Sequence, residues 1–231
     1  MDIKVDHVTK TFGSETVLED VCLDLHGGTI YGLRGKNGSG KTMLLRALCG
    51  LIVPTHGAVV IDGKPLHKEG RSFPASVGVL IEEPGCIRSH SGLRYLKEVA
   101  AIRGIATESD ITELMLRLAL DPLDRKPIRK YSLGMRQKIG IVAALMEKPE
   151  LILLDEPLNA LDEASVGIVA DLLREARDRG ALVVVASHDK EELDALADVV
   201  IGVKSGHVMA PNVAREAHMP SQVLRGRHYA Q

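Results

Sequence analysis

Residues 35–42, with the sequence GKNGSGKT, constrain the fold of this chain more than any other segment. They match the pattern G-x-x-x-x-G-K-[S/T], follow an apolar stretch at 29–33 and precede residues 43–51, which we predict to be helical. In such a strand–loop–helix unit the glycines let the backbone curl, so that several N–H groups point at one anion. The amino end of the helix adds partial positive charge. The segment therefore predicts a phosphate-binding loop at the end of a strand.

The side chains of this loop are suited to a nucleotide and its metal ion. Lys41 would neutralise oxygens of the β- and γ-phosphates, and the Thr42 hydroxyl would ligate Mg²⁺. The other residues expected to contact the nucleotide in this loop are Gly35, Asn37, Gly38, Ser39 and Gly40.

Two adjacent acids, Asp155 and Glu156, follow the apolar segment 151–154. Because ligands of open α/β sheets bind outside the carboxyl ends of the strands, we expect both acids to face the phosphate loop. Asp155 would hold Mg²⁺ through water, and Glu156 would orient and polarise the water that attacks the γ-phosphorus. Two neighbouring carboxylates beside ATP repel each other unless a cation offsets them, so the site should require Mg²⁺.

The order of apolar segments indicates an α/β fold. Segments 151–154 and 181–186 are entirely apolar, and residues 166–176 between them have helical periodicity. Strands that are apolar on both faces and separated by helices are typical of a parallel sheet covered on both sides. Residues 85–148 are predicted to be mostly helical, with one of the helices at 109–120. They make the distance between the phosphate loop and the acid pair much longer than the roughly 30 residues of a minimal βαβ unit.

Charge and composition exclude several classes of protein. Lys plus Arg number 29 against 31 Asp plus Glu, a net charge of −2, whereas nucleic-acid-binding proteins usually carry a basic excess. No segment approaches the roughly 20 apolar residues of a membrane span, and the amino terminus lacks the pattern of an export signal. The odd number of cysteines, 3, indicates reduced thiols. We therefore expect a cytoplasmic protein without a nucleic-acid partner, whose membrane role would depend on another chain.

Several further motifs follow one another in a recognisable order. With the phosphate loop and the acid pair, they make the chain resemble the nucleotide-binding subunit of an ABC transporter over almost its whole length. The motifs are YSLGMRQ at 131–137, LNALD at 158–162, Ser187-His188 after the strand at 181–186, and Phe12 before Gly13. The resemblance implies that Phe12 stacks on adenine, that Ser132 and Gly134 belong to the signature motif, that Asp162 belongs to the D-loop, and that His188 is the switch histidine.

The resemblance also implies an architecture. We expect a P-loop NTPase (RecA-like) core with a mainly parallel sheet, an amino-terminal antiparallel β subdomain and an inserted α-helical subdomain. The expected boundaries within a single domain, 1–231, are 1–84 and 149–208 for the core with its β subdomain, 85–148 for the helical subdomain, and 209–231 for a tail.

The implied mechanism needs two copies of the chain. Two subunits enclose two ATP molecules head to tail, so that the phosphate loop of one faces Ser132 and Gly134 of the other. Ser132 also has the character of a helix N-cap, with the backbone N–H groups after it aimed at the γ-phosphate. Lys41, Glu156 and His188 would act in hydrolysis, which opens the dimer that ATP closes. The motion would drive an integral-membrane permease on a separate chain, at the inner face of the cell membrane.

Two departures from the family pattern stand out. Glu82 occupies a position that usually holds Gln. We expect its carboxylate to sense the metal ion or its water, so that activity depends more strongly on Mg²⁺. The alternative is that Glu82 is a spectator. Leu133 and Met135 alter the signature motif but remove no backbone N–H group. Together, these sequences resemble ABC-2-type exporters linked to bacitracin and lantibiotic self-protection, which implies a peptide antibiotic or similar amphipathic compound as cargo.

Two other functions compete with this interpretation. One is a soluble ABC-type ATPase without a permease, such as a translation or DNA-repair factor. Such proteins usually carry two nucleotide domains, long coiled coils or a basic face, none of which this sequence shows. The other is a scaffold that binds ATP without hydrolysing it, which the presence of Lys41, Asp155, Glu156 and His188 argues against.

Overall fold

Two β-sheets and six α-helices make up residues 1–68, 73–209 and 212–213, which are the residues described by the structure, a computed structural model. The strands are β1 (Asp2–Phe12), β2 (Glu15–His26), β3 (Thr29–Arg34), β4 (His56–Ile61), β5 (Lys64–Pro65), β6 (Val77–Leu80), β7 (Leu151–Asp155), β8 (Leu182–Ser187), β9 (Val199–Lys204), β10 (His207–Val208) and β11 (Asn212–Val213). The helices are α1 (Lys41–Leu48), α2 (Gly92–Arg103), α3 (Glu108–Arg117), α4 (Leu133–Leu145), α5 (Glu163–Asp178) and α6 (Lys190–Leu196), with a 3-10 helix at Ile128–Lys130.

The smaller sheet is antiparallel, with the strand order β2-β1-β4-β5. In β1 the buried residues Ile3, Val5 and Val8 share one face of the sheet, which packs against the rest of the core. This arrangement confirms the predicted amino-terminal antiparallel unit. Strands β4 and β5 were not predicted. Gly57 lies within β4 and Gly63 lies between the two strands, both with positive φ, and β5 has only two residues.

The larger sheet has the order β10-β9-β3-β8-β7-β6, and its strands from β9 to β6 run parallel. Every residue of β7 and β8 is buried, which confirms the prediction of strands covered on both faces. The alternation along β7 shows how the sheet divides the core. Ile152 and Leu154 pack with the helices of one side, and Leu151 and Leu153 pack with α1 and the antiparallel sheet on the other.

The chain between β6 and β7 is helical wherever it has regular structure, as the sequence predicted. Helix α3 begins at a capping box in which the Thr107 side chain accepts from the backbone of Asp110. It ends at Arg117, earlier than the predicted helix at 109–120, because Ala119 has a φ of 54°. The Arg117 guanidinium donates to both carboxylate oxygens of Glu175 on α5, at 2.8 and 2.6 Å. The helical segment is thereby tied to the core, while its exact boundaries remain a prediction.

Two further observations concern the membrane and the carboxyl terminus. In the part of the chain that the structure covers, no helix combines the length and the apolar character required to cross a bilayer. The segment predicted to be a tail, 209–231, falls outside the described residues apart from 209 and 212–213.

Candidate nucleotide-binding site

The glycine-rich loop joins the end of β3 to the start of α1, as predicted. Gly40, which precedes α1, has a φ of 111°, a conformation that residues with a Cβ rarely adopt. At Gly35 a Cβ atom would lie 2.3 Å from the carbonyl oxygen of Val203. The loop therefore needs glycine at both positions, one for backbone conformation and one for close approach to β9.

Lys41 holds its positive charge inside this loop. Its side chain is buried, and its Nζ donates to the carbonyl oxygen of Gly35 at 2.7 Å and to that of Lys36 at 3.4 Å. The hydroxyl of Ser39 in the same loop is buried and has no hydrogen-bond partner among the residues that the structure describes. An oxyanion in the loop would give this hydroxyl an acceptor and the ammonium group a counter-charge, so the loop is suited to bind phosphate.

Thr42 and Asp155 form an oxygen-rich pair at the first turn of α1 and the end of β7. The Thr42 hydroxyl donates to the Asp155 carboxylate at 2.6 Å. Burial raises the pKa of Asp155, and the hydrogen bond from Thr42 opposes that rise. A buried carboxylate beside a hydroxyl is a donor set that Mg²⁺ prefers, and a cation would offset the unfavourable burial of the charge. These two residues therefore fit a magnesium ion.

Glu156 is oriented by the end of β8. Its carboxylate accepts from the backbone N–H of His188 at 3.1 Å, the Nδ1 atom of His188 lies 3.0 Å from both carboxylate oxygens, and the Ser187 hydroxyl donates to it at 3.3 Å. The backbone of Glu156 is also fixed, because its carbonyl accepts from the Gln137 side chain at 3.1 Å. The Lys41 Nζ lies 3.7 Å from Glu156 Oε1, so the loop lysine and this acid share one site.

These groups surround one cavity of about 620 Å³, which is within the usual size range of ligand sites. The lining residues are Glu15, Thr16, Val17, Asn37, Gly38, Ser39, Gly40, Lys41, Thr42, Met43, Asp155, Glu156, Ser205 and Gly206. The predicted site residues that do not line it are Phe12, Gly35, Glu82, Ser132, Gly134, Asp162 and His188.

Phe12 lies at the end of β1, beside the cavity rather than in its lining. It pairs across the hairpin with Glu15, which does line the cavity. Its ring is half exposed, and the Lys10 Nζ lies 4.7 Å from the ring centre. The ring is accessible to a base, and its stacking role remains a prediction.

Glu82 lies two residues after the end of β6 and has a φ of 62°, a left-handed backbone conformation. The Arg46 guanidinium on α1 donates to its carboxylate at 2.6 Å. The negative charge of Glu82 contributes to the raised pKa of Asp155, after the larger effect of burial. Glu82 is therefore near the proposed magnesium position, and its partner in this structure is an arginine.

The signature segment and the D-loop contact each other. Ser132 is the N-cap of α4, since its hydroxyl accepts from the Met135 backbone at 3.1 Å, and this confirms the predicted cap. A Cβ on Gly134 would lie 2.5 Å from the Ala160 carbonyl oxygen. The Lys138 Nζ lies 3.5 Å from the Asp162 carboxylate, which caps α5. Hydrogen bonds from Ser165 hold the pKa of Asp162 below its usual value.

Several residues of the site were not predicted from the sequence. Gln137 and Ser187 lie inside quoted motifs, so their positions were visible although their contacts were not. The Ser187 hydroxyl lies 3.1 Å from a carboxylate oxygen of Glu192, whose pKa burial raises. No local sequence pattern indicates that Arg46 or Gly206 belongs to the site, because each lies there through contacts with a distant part of the chain.

Comparisons with known proteins agree with this geometry. The family model for the ABC transporter matches residues 18–159. An uncharacterized ABC transporter ATP-binding protein, YybJ of Bacillus subtilis, is 43% identical over 89% of this chain and 94% of its own length. The bacitracin transport ATP-binding protein BcrA of Enterococcus faecalis is 33% identical over 94% of this chain and 70% of its own length. The lantibiotic transport ATP-binding protein SrtF of Streptococcus pyogenes is 30% identical over 90% of this chain and 89% of its own length.

Solved structures share the fold. The structure of an ATP-binding subunit of an ABC transporter superposes with a TM-score of 0.83 at 23% identity, covering 97% of this chain and 99% of that one. The ATP-binding cassette MJ0796 is described as a dimer bound to ADP and Pi in a post-hydrolysis state. It superposes with a TM-score of 0.82 at 24% identity, covering 92% of this chain and 99% of that one. These likenesses confirm the predicted fold class.

Proposed function

Because the chain belongs to the ABC transporter family, as an ATP-binding ATPase domain, we propose that it acts as a homodimer that encloses two Mg–ATP molecules and powers a separate membrane permease. The observation that carries the proposal is the division of the site within one chain. Lys41, Thr42, Asp155 and Glu156 converge on the cavity, whereas Ser132 and Gly134 do not line it. A second copy would supply the missing half.

Each converging residue has a distinct role in the proposed reaction. Lys41 turns from the loop carbonyls toward the β- and γ-phosphates, and the glycine-rich loop cradles the rest of the polyphosphate. Thr42 and Asp155 would hold Mg²⁺, whose charge would stabilise the phosphates when it is bound. The carboxylate of Glu82 would sense the ion or its water from the adjacent loop.

Glu156 is the residue that acts on water in this proposal. As a general base it accepts a proton from the water attacking the γ-phosphorus, and the bond to the leaving ADP oxygen breaks. His188 and Ser187 already contact its carboxylate at 3.0 and 3.3 Å, so they hold it in one orientation. We assign His188 a positioning role beside this base.

The proposed dimer places the amino end of α4 of one subunit against the cavity of the other, head to tail. Ser132 caps that helix without occupying every amino-terminal N–H group, so the remaining groups can bind a γ-phosphate. Two observations support this arrangement: the fold-related cassette MJ0796 is described as a dimer, and the signature segment of this chain is exposed at Ser132. Phe12 would cover the adenine of its own subunit, and the D-loop with Asp162 would lie at the interface.

The proposed partner is an integral-membrane permease, which would place the chain at the inner face of the membrane. The helical segment within 85–148 would transmit the movement, and the core would comprise 1–84 and 149–208. The relatives named for bacitracin and lantibiotic transport support an exported amphipathic peptide as the cargo class. Pull-down of a multi-span membrane protein from detergent extracts would support the permease, whereas co-sedimentation with ribosomes alone would contradict it.

The sharpest test of the reaction is Glu156→Gln. The variant keeps the shape of the side chain but cannot accept the proton, so we expect ATP binding to persist and turnover to fall by about 10²-fold or more. Light scattering should then detect an ATP-dependent dimer. The matched control is Glu163→Gln, since Glu163 is an exposed acid in the first turn of α5 outside the cavity lining. Turnover of Glu156→Gln close to that of the parent protein would remove Glu156 from the role of base.

A further inference from the structure

The contact between Arg46 and Glu82 joins the phosphate-loop helix to the loop that follows β6. Arg46 lies one helical turn after Thr42, and its Nη2 is 2.6 Å from Glu82 Oε1. The Arg46 side chain is 30% exposed and that of Glu82 is 61% exposed. We propose that Arg46 is a positioning residue that holds and neutralises Glu82, so that a carboxylate can occupy this place beside the nucleotide; the inference rests on the function proposed above.

Electrostatics explains why the carboxylate needs such a partner. The negative charges of Glu156 and Glu82 both act on the carboxylate of Asp155 at this end of the sheet. ATP brings further negative charge to the same cavity. An unpaired carboxylate there repels the nucleotide, and the repulsion is strongest when no metal ion is present. A guanidinium in direct contact makes the pair nearly neutral, as a glutamine would be.

Geometry explains why this arginine also fixes a position. Glu82 has a left-handed backbone conformation, and residues 83–85 after it line a cavity of about 220 Å³. The same cavity is lined by Arg46, by Tyr95 of α2 and by Gly140 of α4. Arg46 thus lies where the phosphate-loop helix meets the helical segment. Through its ion pair, a shift of α1 on nucleotide binding would move the loop that leads into that segment.

A double-mutant cycle on nucleotide binding tests the proposal. The variants are Arg46→Gln, Glu82→Gln and the double substitution, and the readout is the affinity for a fluorescent ATP analogue with and without Mg²⁺. Arg46→Gln should weaken metal-free binding by about fivefold, because it leaves one uncompensated negative charge near the polyphosphate. Binding in the presence of Mg²⁺ should weaken less, because the cation offsets part of that charge. Adding Glu82→Gln should restore both values to within about twofold of the parent protein.

The matched control is Arg174→Gln. Arg174 also pairs with a carboxylate, Asp171, at 2.8 Å, and the two side chains are 34% and 65% exposed, but both lie outside the cavity lining. This variant should bind ATP as the parent does. If Arg46 contacted the nucleotide directly or only stabilised the fold, removing Glu82 would not restore binding, and additive losses in the double variant would overturn the proposal. If the parent itself failed to bind ATP, the proposed function would fall instead.

Discussion

A buried ion pair between Asp198 and Arg177 lies at the amino ends of β3 and β9. Asp198 is 3% exposed and precedes β9. Its Oδ2 accepts from the backbone N–H of Ile30 at 2.8 Å, and its Oδ1 accepts from Arg177 at 3.0 Å. Ile30 lies near the start of β3, the strand that ends at the phosphate loop. One carboxylate therefore links β3, β9 and α5.

Asp198→Ala should destabilise the protein strongly. It leaves the buried N–H group of Ile30 without its acceptor and removes the buried carboxylate from the Arg177 guanidinium, which keeps its contact with the exposed Asp178. Breaking a buried pair on one side typically lowers the free energy of unfolding by about 3–5 kcal/mol. With a urea dependence of about 3 kcal/mol per molar, the midpoint of unfolding should fall by about 1–2 M.

The chain provides an internal control for this measurement. Asp178 contacts the same arginine at 2.9 Å, but its side chain is 59% exposed. Exposed pairs contribute about 1 kcal/mol or less, so Asp178→Ala should move the urea midpoint by less than about 0.5 M. Circular dichroism would monitor the unfolding of both variants. Equal shifts of their urea midpoints would refute the argument that burial of Asp198 decides how much stability is lost.

Two further predictions concern the site. Burial raises the pKa of Asp155, so in the absence of nucleotide the charged carboxylate disfavours folding above that pKa. Asp155→Asn should therefore increase the free energy of unfolding at pH 7. This gain should disappear as the pH falls toward the ordinary pKa of an aspartate, near 4. Urea unfolding at several pH values measures this, and a gain that grows toward low pH would contradict it. Gly134→Ala would place a Cβ 2.5 Å from the Ala160 carbonyl oxygen and should lower the free energy of unfolding by about 1–3 kcal/mol. A Cβ at Gly167 on α5 meets no atom of the described residues within 4 Å outside the backbone of its own helix. Gly167→Ala should therefore be neutral or slightly stabilising, and equal losses in thermal unfolding would refute the steric argument.

Features that depend on local residue spacing were predicted from the sequence, and features that depend on pairing with distant segments were not. The glycine-rich loop, the buried strand before Asp155 and the capped helix at Ser132 were predicted from short segments, because each depends on residue types at fixed local spacing. Strands β4 and β6 were not predicted, since each contains a glycine and pairs with a strand far along the chain, and β5 has only two residues. Helix ends were less accurate than helix positions, as at Ala119, where a single backbone conformation ends the periodic segment.

Local residue patterns were enough to predict that a phosphate loop precedes a helix and that two acids end a buried strand. The order of the motifs also indicated the family. The contacts between side chains became visible in the folded chain. Arg46 neutralises Glu82, Ser187 and His188 orient Glu156, and Asp198 joins three elements. These contacts join residues that are distant along the chain, so no local pattern encodes them. They form only when the parallel sheet brings its strand ends together, because sheet register and packing fix distances that spacing along the chain leaves free.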